Sequence, residues 1–302
     1  MDLAALQIFK TVVEEGGVVK AARKLHRVPS NVTTRVKQLE ASIGAELFFR
    51  DRKRLFLSPA GELLLVYAEK LLRLSEEAKS AVSGSRPRGV LRLGALESTT
   101  ASRLPPVLAR YHKAYPEVRV ELTTGTNDAL TAAVLDRRVD AAFVAEVPAS
   151  KELEHMPLFA ERLMVISSLD HRRIRRPADV EGDSIIAFPN GCAYRRRLHR
   201  WLGDASSAAV RVLDLSSYHA IVACVASGTG IALVPESVLE AAQATQVKRH
   251  PIPKAYADVV TPLIWRVREE SAALRALKEE LKRSVKDGRA LDVGAEPAAR
   301  PA

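Results

Sequence analysis

The sequence predicts a chain in two parts: a mainly α-helical winged helix-turn-helix extended by one long linker helix, then a larger α/β module in two lobes. Three observations carry this. Two short apolar-periodic runs, separated only by "HRV", precede a strand–basic turn–strand signature. A single period near 3.6 then runs from Pro59 to about Ser83. Beyond it, apolar runs of strand length alternate with helical runs, which implies βαβ units and a parallel sheet.

Taken in order, Asp2 can cap a helix whose apolar positions are Leu3, Leu6, Phe9, Val12 and Val13, and Gly16-Gly17 ends it. A short helix from Val19 to Leu25 turns Ala22 and Leu25 inward. Pro29 suits the first turn of the next helix, since its missing N–H costs nothing there. That helix buries Val32, Val36, Leu39 and Ile43. At about 100° per residue, its opposite face presents Ser30, Thr34 and Lys37, flanked by Asn31, Thr33 and Gln38, with Arg35 near the edge. Such side chains reach base edges and phosphates when the second helix of a helix-turn-helix lies in the major groove. Spacing alone equally allows a small helical core with a solvated polar face.

The segment "ELFFRDRKRLFLSPAG" separates the two. It reads as a β-hairpin tipped by Arg50, Arg52, Lys53 and Arg54, a wing placed to touch the phosphate backbone, followed by a helix start at Ser58-Pro59. Charge distribution agrees: residues 1–89 hold 16 Lys/Arg against 10 Asp/Glu, leaving 30 against 26 for the remaining 213 residues. The basic excess is densest where a polyanion would bind.

These residues, with the order of Phe9, Ala21-Ala22, Leu25, Ser30, Val32, Thr33, Arg35, Lys37, Leu39-Glu40, Ile43-Gly44, Leu47-Phe48, Arg50, Leu57 and "PAG" at 59–61, resemble the LysR-type transcriptional regulators over about residues 2–66. The resemblance implies a sequence-specific regulator of double-stranded DNA controlled by a small-molecule effector. It implies homodimers that pair into tetramers and RNA polymerase as a partner; a cytoplasmic location is expected from the N-terminal residues, which show no charged n-region or signal cleavage pattern. Positions matching the family's major-groove contacts are Ser30, Asn31, Thr34 and Arg35. The family wing has two arginines three apart, whereas this chain has Arg50 and Lys53. A lysine is a point charge, so position 53 offers phosphate binding without a bidentate clamp. A DNA-binding regulator with no small-molecule effector is the alternative.

The long helix would span about 35 Å. Its stripe of Leu64, Ala68, Leu71 and Leu72 has no obvious partner within the chain, and the resemblance implies dimerisation there. "SGSRPRG" (83–89) breaks the pattern. The expected domains are 1–58, the linker and hinge 59–88, and an effector domain 89–286, followed by a disordered tail 287–302. Within 89–286, lobe I takes about 89–162 and 264–286, and lobe II about 163–263. Two α/β lobes joined by two crossings resemble the type 2 periplasmic-binding-protein fold.

In such a module small molecules bind between the lobes. Four segments supply candidates: Ser98, Thr99 and Thr100 with hydroxyls suited to a carboxylate; Thr124 and Thr126; Cys192 and Arg195; Ser217, Tyr218 and His219. Glu97 and Glu146 lie near the same crevice and suit an ammonium group, which leaves the effector open between an acid, a zwitterion and a polyamine. No cofactor or metal is implied. Cys192 with His219 is the one pair worth naming for catalysis, and "SGTGIALVP" lacks phosphate-loop spacing, so an enzyme is not expected. Two cysteines argue against a disulfide framework. No apolar run approaches the ~18 residues that span a bilayer, and the N-terminus lacks a signal-peptide pattern.

Overall fold

In the computed structural model, which describes residues 1–51, 54–82, 86–203 and 211–286, the first helix starts where a carboxylate satisfies an orphan amide. Asp2 Oδ1 accepts the Ala5 N–H at 2.7 Å, capping α1 (Leu3–Glu14). Gly16, at φ 67°, turns the chain into α2 (Val18–Lys24), and Pro29 opens α3 (Pro29–Ile43). Leu6, Phe9 and Val12 from α1, Ala21 and Ala22 from α2, and Val32, Val36 and Leu39 from α3 are buried. Ile43, expected on that stripe, is exposed, because it is the last helical residue and the chain turns away at the left-handed Gly44.

The wing strands β1 (Phe48–Asp51) and β2 (Arg54–Leu57) pair antiparallel. Glu40 anchors them to α3: its Oε1 accepts the N–H groups of Leu47 (2.9 Å) and Phe48 (3.3 Å). Ser58 Oγ accepts the Gly61 N–H and donates to Glu46 O, fixing the start of α4 (Pro59–Val82). A Cβ at Gly61 would lie 2.1 Å from Leu47 O, so only glycine fits this approach.

One expectation for α4 is corrected here. Ala68 is fully buried, and Leu64, Leu65 and Leu72 pack with it against Ala5, Leu6, Phe9, Leu39 and Leu47. This stripe therefore has its partner within the chain, on α1 and α3. The face turned away carries Leu63 (62 % exposed), Val66, Tyr67 and Leu74 (61 % exposed), with Leu71 at its edge.

The described residues up to 82 form one compact unit and those from 86 to 286 the other. In the second, β3 (Gly89–Ala95) pairs in parallel with β4 (Val118–Thr124) and β5 (Ala141–Phe143). Two long antiparallel strands then serve both lobes: β6 (Leu153–Ser167) and β11 (Asp258–Arg266). The first part of β6 pairs with β11, which pairs with β5. Its last part pairs with β9 (Ala232–Pro235) and β10 (Lys248–Pro251). A parallel pair, β7 (Ile185–Ala187) and β8 (Val212–Asp214), is joined to this edge through an Ile185–Ile231 bridge. The sheets are thus mixed rather than parallel. Residues 153–162 and 248–251 escaped the strand pattern because Glu154, His155, Pro157 and Glu161, and then "KRHP", interrupt the apolar runs.

One face of lobe I is filled by α6 (Leu104–Ala114) and α12 (Ala272–Lys286) over Leu91, Leu93, Phe143 and Phe159. The other cluster is continuous across the lobes, from Leu130 and Val134 of α7 (Asn127–Leu135) to Leu198 and Trp201 of α8 (Ala193–Leu202) and Val225 of α9 (Tyr218–Ala226).

Lobe II contains a buried histidine whose two ring nitrogens are both used in the neutral form. Nδ1 of His250 accepts the Ile174 N–H at 3.1 Å, which leaves Nε2 to donate to Ser167 Oγ at 2.8 Å. Protonation would set one N–H against another. Burial and the nearby His171, Lys248 and Arg173 hold its pKa down to about 4. The unfolded chain therefore binds the extra proton first, and this contribution to stability is lost as pH falls from about 6.5 towards about 4. Urea midpoints should fall across that window, and His250→Gln should flatten this part of the profile while lowering stability at neutral pH.

Candidate functional site

Two places bring polar residues together without a structural use for all of them. The first is the outer face of α3. Ser30, Asn31, Thr34, Lys37 and Gln38 are exposed, and Thr33 and Arg35 are half-buried, over the buried row of Val32, Val36 and Leu39. Thr33 is partly spent: its Oγ1 donates to Pro29 O at 3.0 Å. Asn31 Oδ1 accepts from Arg27 Nη1 at 3.2 Å, which holds the amide with its NH2 group free. Arg27 was missed from the sequence, though its spacing of four from Asn31 was the available signal. On the hairpin, the Phe49 and Phe56 rings stack at 5.7 Å and stiffen the wing. Arg50 and Arg54 stand on β1 and β2, while Arg52 and Lys53 lie outside the described residues.

The second place lies between the lobes, where β3, α8, α9 and β11 converge. Here α5 (Glu97–Ser102) follows β3, and Ser98 and Thr99 are buried. Thr100 Oγ1 donates to Leu96 O, an internal helix bond. Thr124 is exposed at the end of β4. Thr126 caps α7 by accepting the Ala129 N–H at 3.4 Å. Opposite it stands Gly191, at φ 91°, where a Cβ would come within 3.0 Å of Thr126 Oγ1. Ser217 precedes α9 without a side-chain cap bond. Tyr218 is buried and its N–H donates to Glu97 Oε1 at 3.3 Å, whereas His219 points to solvent. Cys192 is buried, and burial pushes its thiol pKa up.

Two candidates turn out to be spoken for. Arg195 Nη1 donates to Phe188 O and to Asp214 Oδ1 at 2.6 Å, within lobe II. Glu146 is held by Arg196 Nη2 at 2.7 Å and Arg200 Nη2 at 3.1 Å, and Arg196 also reaches Asp128 at 3.1 Å. Glu146 is thus no free acceptor for an ammonium group; it is half of an ionic clasp from lobe I to α8. Asn127 steadies the clasp by accepting the Ala145 and Glu146 N–H groups. Sequence reasoning missed Arg196 and Asp128 because their link is a tertiary one.

The convergence point itself holds three buried oxygens without a hydrogen-bond partner: Glu97 Oε2, Tyr194 Oη and Thr261 Oγ1. The Tyr194 hydroxyl neighbours those of Thr261 and Ser98, and Tyr218 stands beside Cys192, Tyr194 and Glu97. Burial raises the Glu97 pKa, a shift only partly offset by the Tyr218 N–H. Two of the three are hydroxyls near enough to share a hydrogen, so Glu97 Oε2 is the oxygen whose burial has no use in stability; leaving such a group unpaired costs about 1–3 kcal/mol. Tyr194 adjoined a segment already singled out; nothing in the sequence pointed to Thr261.

A winged helix-turn-helix joined to a two-lobed α/β module with a polar cleft defines a ligand-responsive DNA-binding regulator. Comparison with known proteins agrees. Residues 3–62 match the bacterial regulatory helix-turn-helix protein of the lysR family, and residues 84–286 match the LysR substrate binding domain. The chain is 33 % identical to the HTH-type transcriptional regulator GltR of Bacillus subtilis, covering 88 % of this chain and 90 % of that one. It is 35 % identical to the HTH-type transcriptional regulator CzcR of Bacillus anthracis, covering 88 % and 91 %. Full-length CbnR in complex with its target DNA shares the fold at TM-score 0.68 and 22 % identity, covering 94 % of this chain and all of that one. The chain belongs to the LysR family: it is a DNA-binding transcriptional regulator with an effector-binding domain.

The clasp yields a test of lobe closure. Its ion pairs are partly exposed and each contributes at most about 1 kcal/mol, so Arg196→Ala should change melting little. In a Cys224→Ser background it should nevertheless speed labelling of Cys192 severalfold; an unchanged rate would show that Arg196 does not hold the lobes together.

Proposed function

We propose that the chain reads its operator with the outer face of α3, grips flanking phosphates with the wing, assembles through α4, and responds to a small molecule taken up between its lobes. The observation that carries the first part is the polar row on α3 above a fully apolar buried row. Ser30, Asn31, Thr34 and Arg35 sit at base edges, with Thr33, Lys37 and Gln38 beside them. Arg35 and Lys37 form no ion pair with the described residues, so both are available to DNA. The similar CbnR structure was solved with its target DNA. Arg50, Arg52, Lys53 and Arg54 contribute charge at the wing, where phosphate contacts act on all sequences alike.

Assembly is assigned to the outward face of α4: Leu63, Val66, Tyr67, Leu71 and Leu74. A helix with apolar residues on two opposite faces needs a second partner, and a homodimer built there, pairing further into tetramers, gives two or more DNA-reading heads per particle. The effector site comprises Ser98, Thr99, Tyr218 and Cys192 with Glu97, Tyr194 and Thr261. The chain acts on transcription with RNA polymerase in the cytoplasm; among the described residues no helix is long and apolar enough to cross a membrane. A regulatory rather than a catalytic role is supported by its similarity to transcriptional regulators.

Binding to DNA from its own upstream region tests the head. Arg35→Ala should cut the ratio of operator to random-sequence affinity by roughly 5- to 100-fold, the worth of a good base contact. Arg54→Ala should weaken both equally and make the salt dependence shallower. Equal losses on both DNAs with Arg35→Ala would demote that residue to a phosphate contact. For assembly, Leu74→Asp should yield smaller particles in sedimentation with weak operator binding, while Leu64→Asp should unfold the head instead. Wild-type oligomers with Leu74→Asp would remove that face from the assembly.

A further inference from the structure

The short turn that joins α2 to α3 sets a cation at the head of α3. His26 takes the left-handed conformation there, at φ 51°. Its N–H donates to Arg23 O at 3.2 Å, and the Arg27 N–H donates to Ala22 O at 2.9 Å. This pair of bonds satisfies the last carbonyls of α2 and fixes the backbone of Arg27. From that point the side chain runs along the outside of α3 to Asn31, where Nη1 donates to Oδ1 at 3.2 Å. Both residues are exposed. Among the described residues the Arg27 guanidinium makes no ion pair, so its charge has no use within the head.

An arginine can only donate, so the amide atom facing it is Oδ1 and the Asn31 NH2 group is turned outward. A free asparagine reads adenine, accepting from N6 and donating to N7. Here the acceptor is already taken. What the two side chains offer to a groove is donors alone: the Asn31 NH2 and the remaining N–H groups of Arg27. In the major groove an A·T pair carries the N6 donor beside its N7 and O4 acceptors, whereas guanine presents O6 and N7 as two neighbouring acceptors. A donor-only unit matches guanine. Val28, at the N-cap of α3, has no side-chain bond and is 63 % exposed, and Pro29 is exposed beside it. An uncapped helix start and a bare isopropyl group both cost stability in water, and covering this tip with a base edge offsets the second.

We propose that Arg27 is a base-reading residue, and that it acts with Asn31 as one unit that selects a guanine in the stretch of operator read by each head. This rests on α3 being the helix that enters the major groove, and it names a base that the helix selects. The bond between the two side chains occupies the one acceptor of the pair, so the unit discriminates against adenine, the base that the asparagine alone would choose. Both side chains lie on the exposed face of the head, so removing either leaves its apolar core complete.

Selection by the full chain from random-sequence duplex DNA, followed by affinities for every single base-pair replacement of the selected duplex, tests the proposal. Wild type should show a G·C pair whose replacement costs roughly 5- to 100-fold. Placing 7-deazaguanine there, which lacks the N7 acceptor, should cost part of the same preference. Arg27→Ala should level the preference at that pair and leave the preferences at other pairs standing. Asn31→Ala should weaken it, and the double variant should lose little more than Arg27→Ala alone, as a shared contact requires. Additive losses in the double variant would overturn the shared unit. A pair levelled by Asn31→Ala and not by Arg27→Ala, with adenine preferred, would show that Asn31 releases Arg27 and reads alone. Equal losses on all duplexes with Arg27→Ala would make the arginine a phosphate contact. Each of these overturns the guanine unit while α3 stays the reading helix. Base preferences unchanged in Arg27→Ala, Asn31→Ala and Arg35→Ala alike would instead take α3 out of the groove.

Discussion

The antiparallel ladder between β6 and β11 is the constraint on which the effector unit depends. Both lobes hang on these two strands: β11 carries the pairing to β5, and the last residues of β6 carry β9 and β10. The ladder is uninterrupted except between Thr261 and Pro262, where the register shifts and Pro262 stands opposite Pro157. Proline cannot donate to a ladder, so two facing prolines are tolerated where a bulge already breaks it. That bulge sits where the strands pass from one lobe to the other, and it sets the Thr261 hydroxyl among the unpartnered oxygens of the cleft.

Around this fixed pair, an ionic clasp and an apolar cluster both join the lobes. The clasp of Arg196 and Arg200 on Glu146 and Asp128 is partly exposed, strong enough to bias the lobes and weak enough to break. The continuous apolar cluster from α7 to α8 and α9 supplies the larger share of cohesion. In the proposed response, a ligand shifts the unit only by preferring one arrangement of the lobes over another. The unpaired Glu97 oxygen adds to this by making the closed cleft less stable than its packing alone would allow.

The DNA-binding unit follows a different economy. Helices α3 and α4 each present one face to a shared core and keep another face outward. On α3 the outward face is polar and suits bases; on α4 it is apolar and suits a second copy of the chain. Leu39 and Ala68 lie in the same cluster, so the angle between the reading helix and the assembly helix is set by close packing. In the proposed assembly, the spacing of two DNA-binding heads follows from this small core.

The sequence by itself determined the elements whose cause is local. Asp2, Gly16, Pro29 and Ser58 cap or stop helices through their own atoms, and the period of Val32, Val36 and Leu39 decided which face of α3 is buried. The wing, the two units and the family were legible for the same reason, since adjacent residues carry them. Only the tertiary structure decided the rest. Leu64, Ala68 and Leu72 read as an unpartnered stripe because sequence cannot say that α1 lies against them. Arg195 and Arg196 are neighbours of identical chemistry, yet one is locked into lobe II by Asp214 and the other spans the lobes. Glu97 and Glu146 looked equivalent until the fold gave cations to one and none to the other. Charge, burial and pairing at a cleft are sums over residues far apart in the chain, and local periodicity carries no record of them.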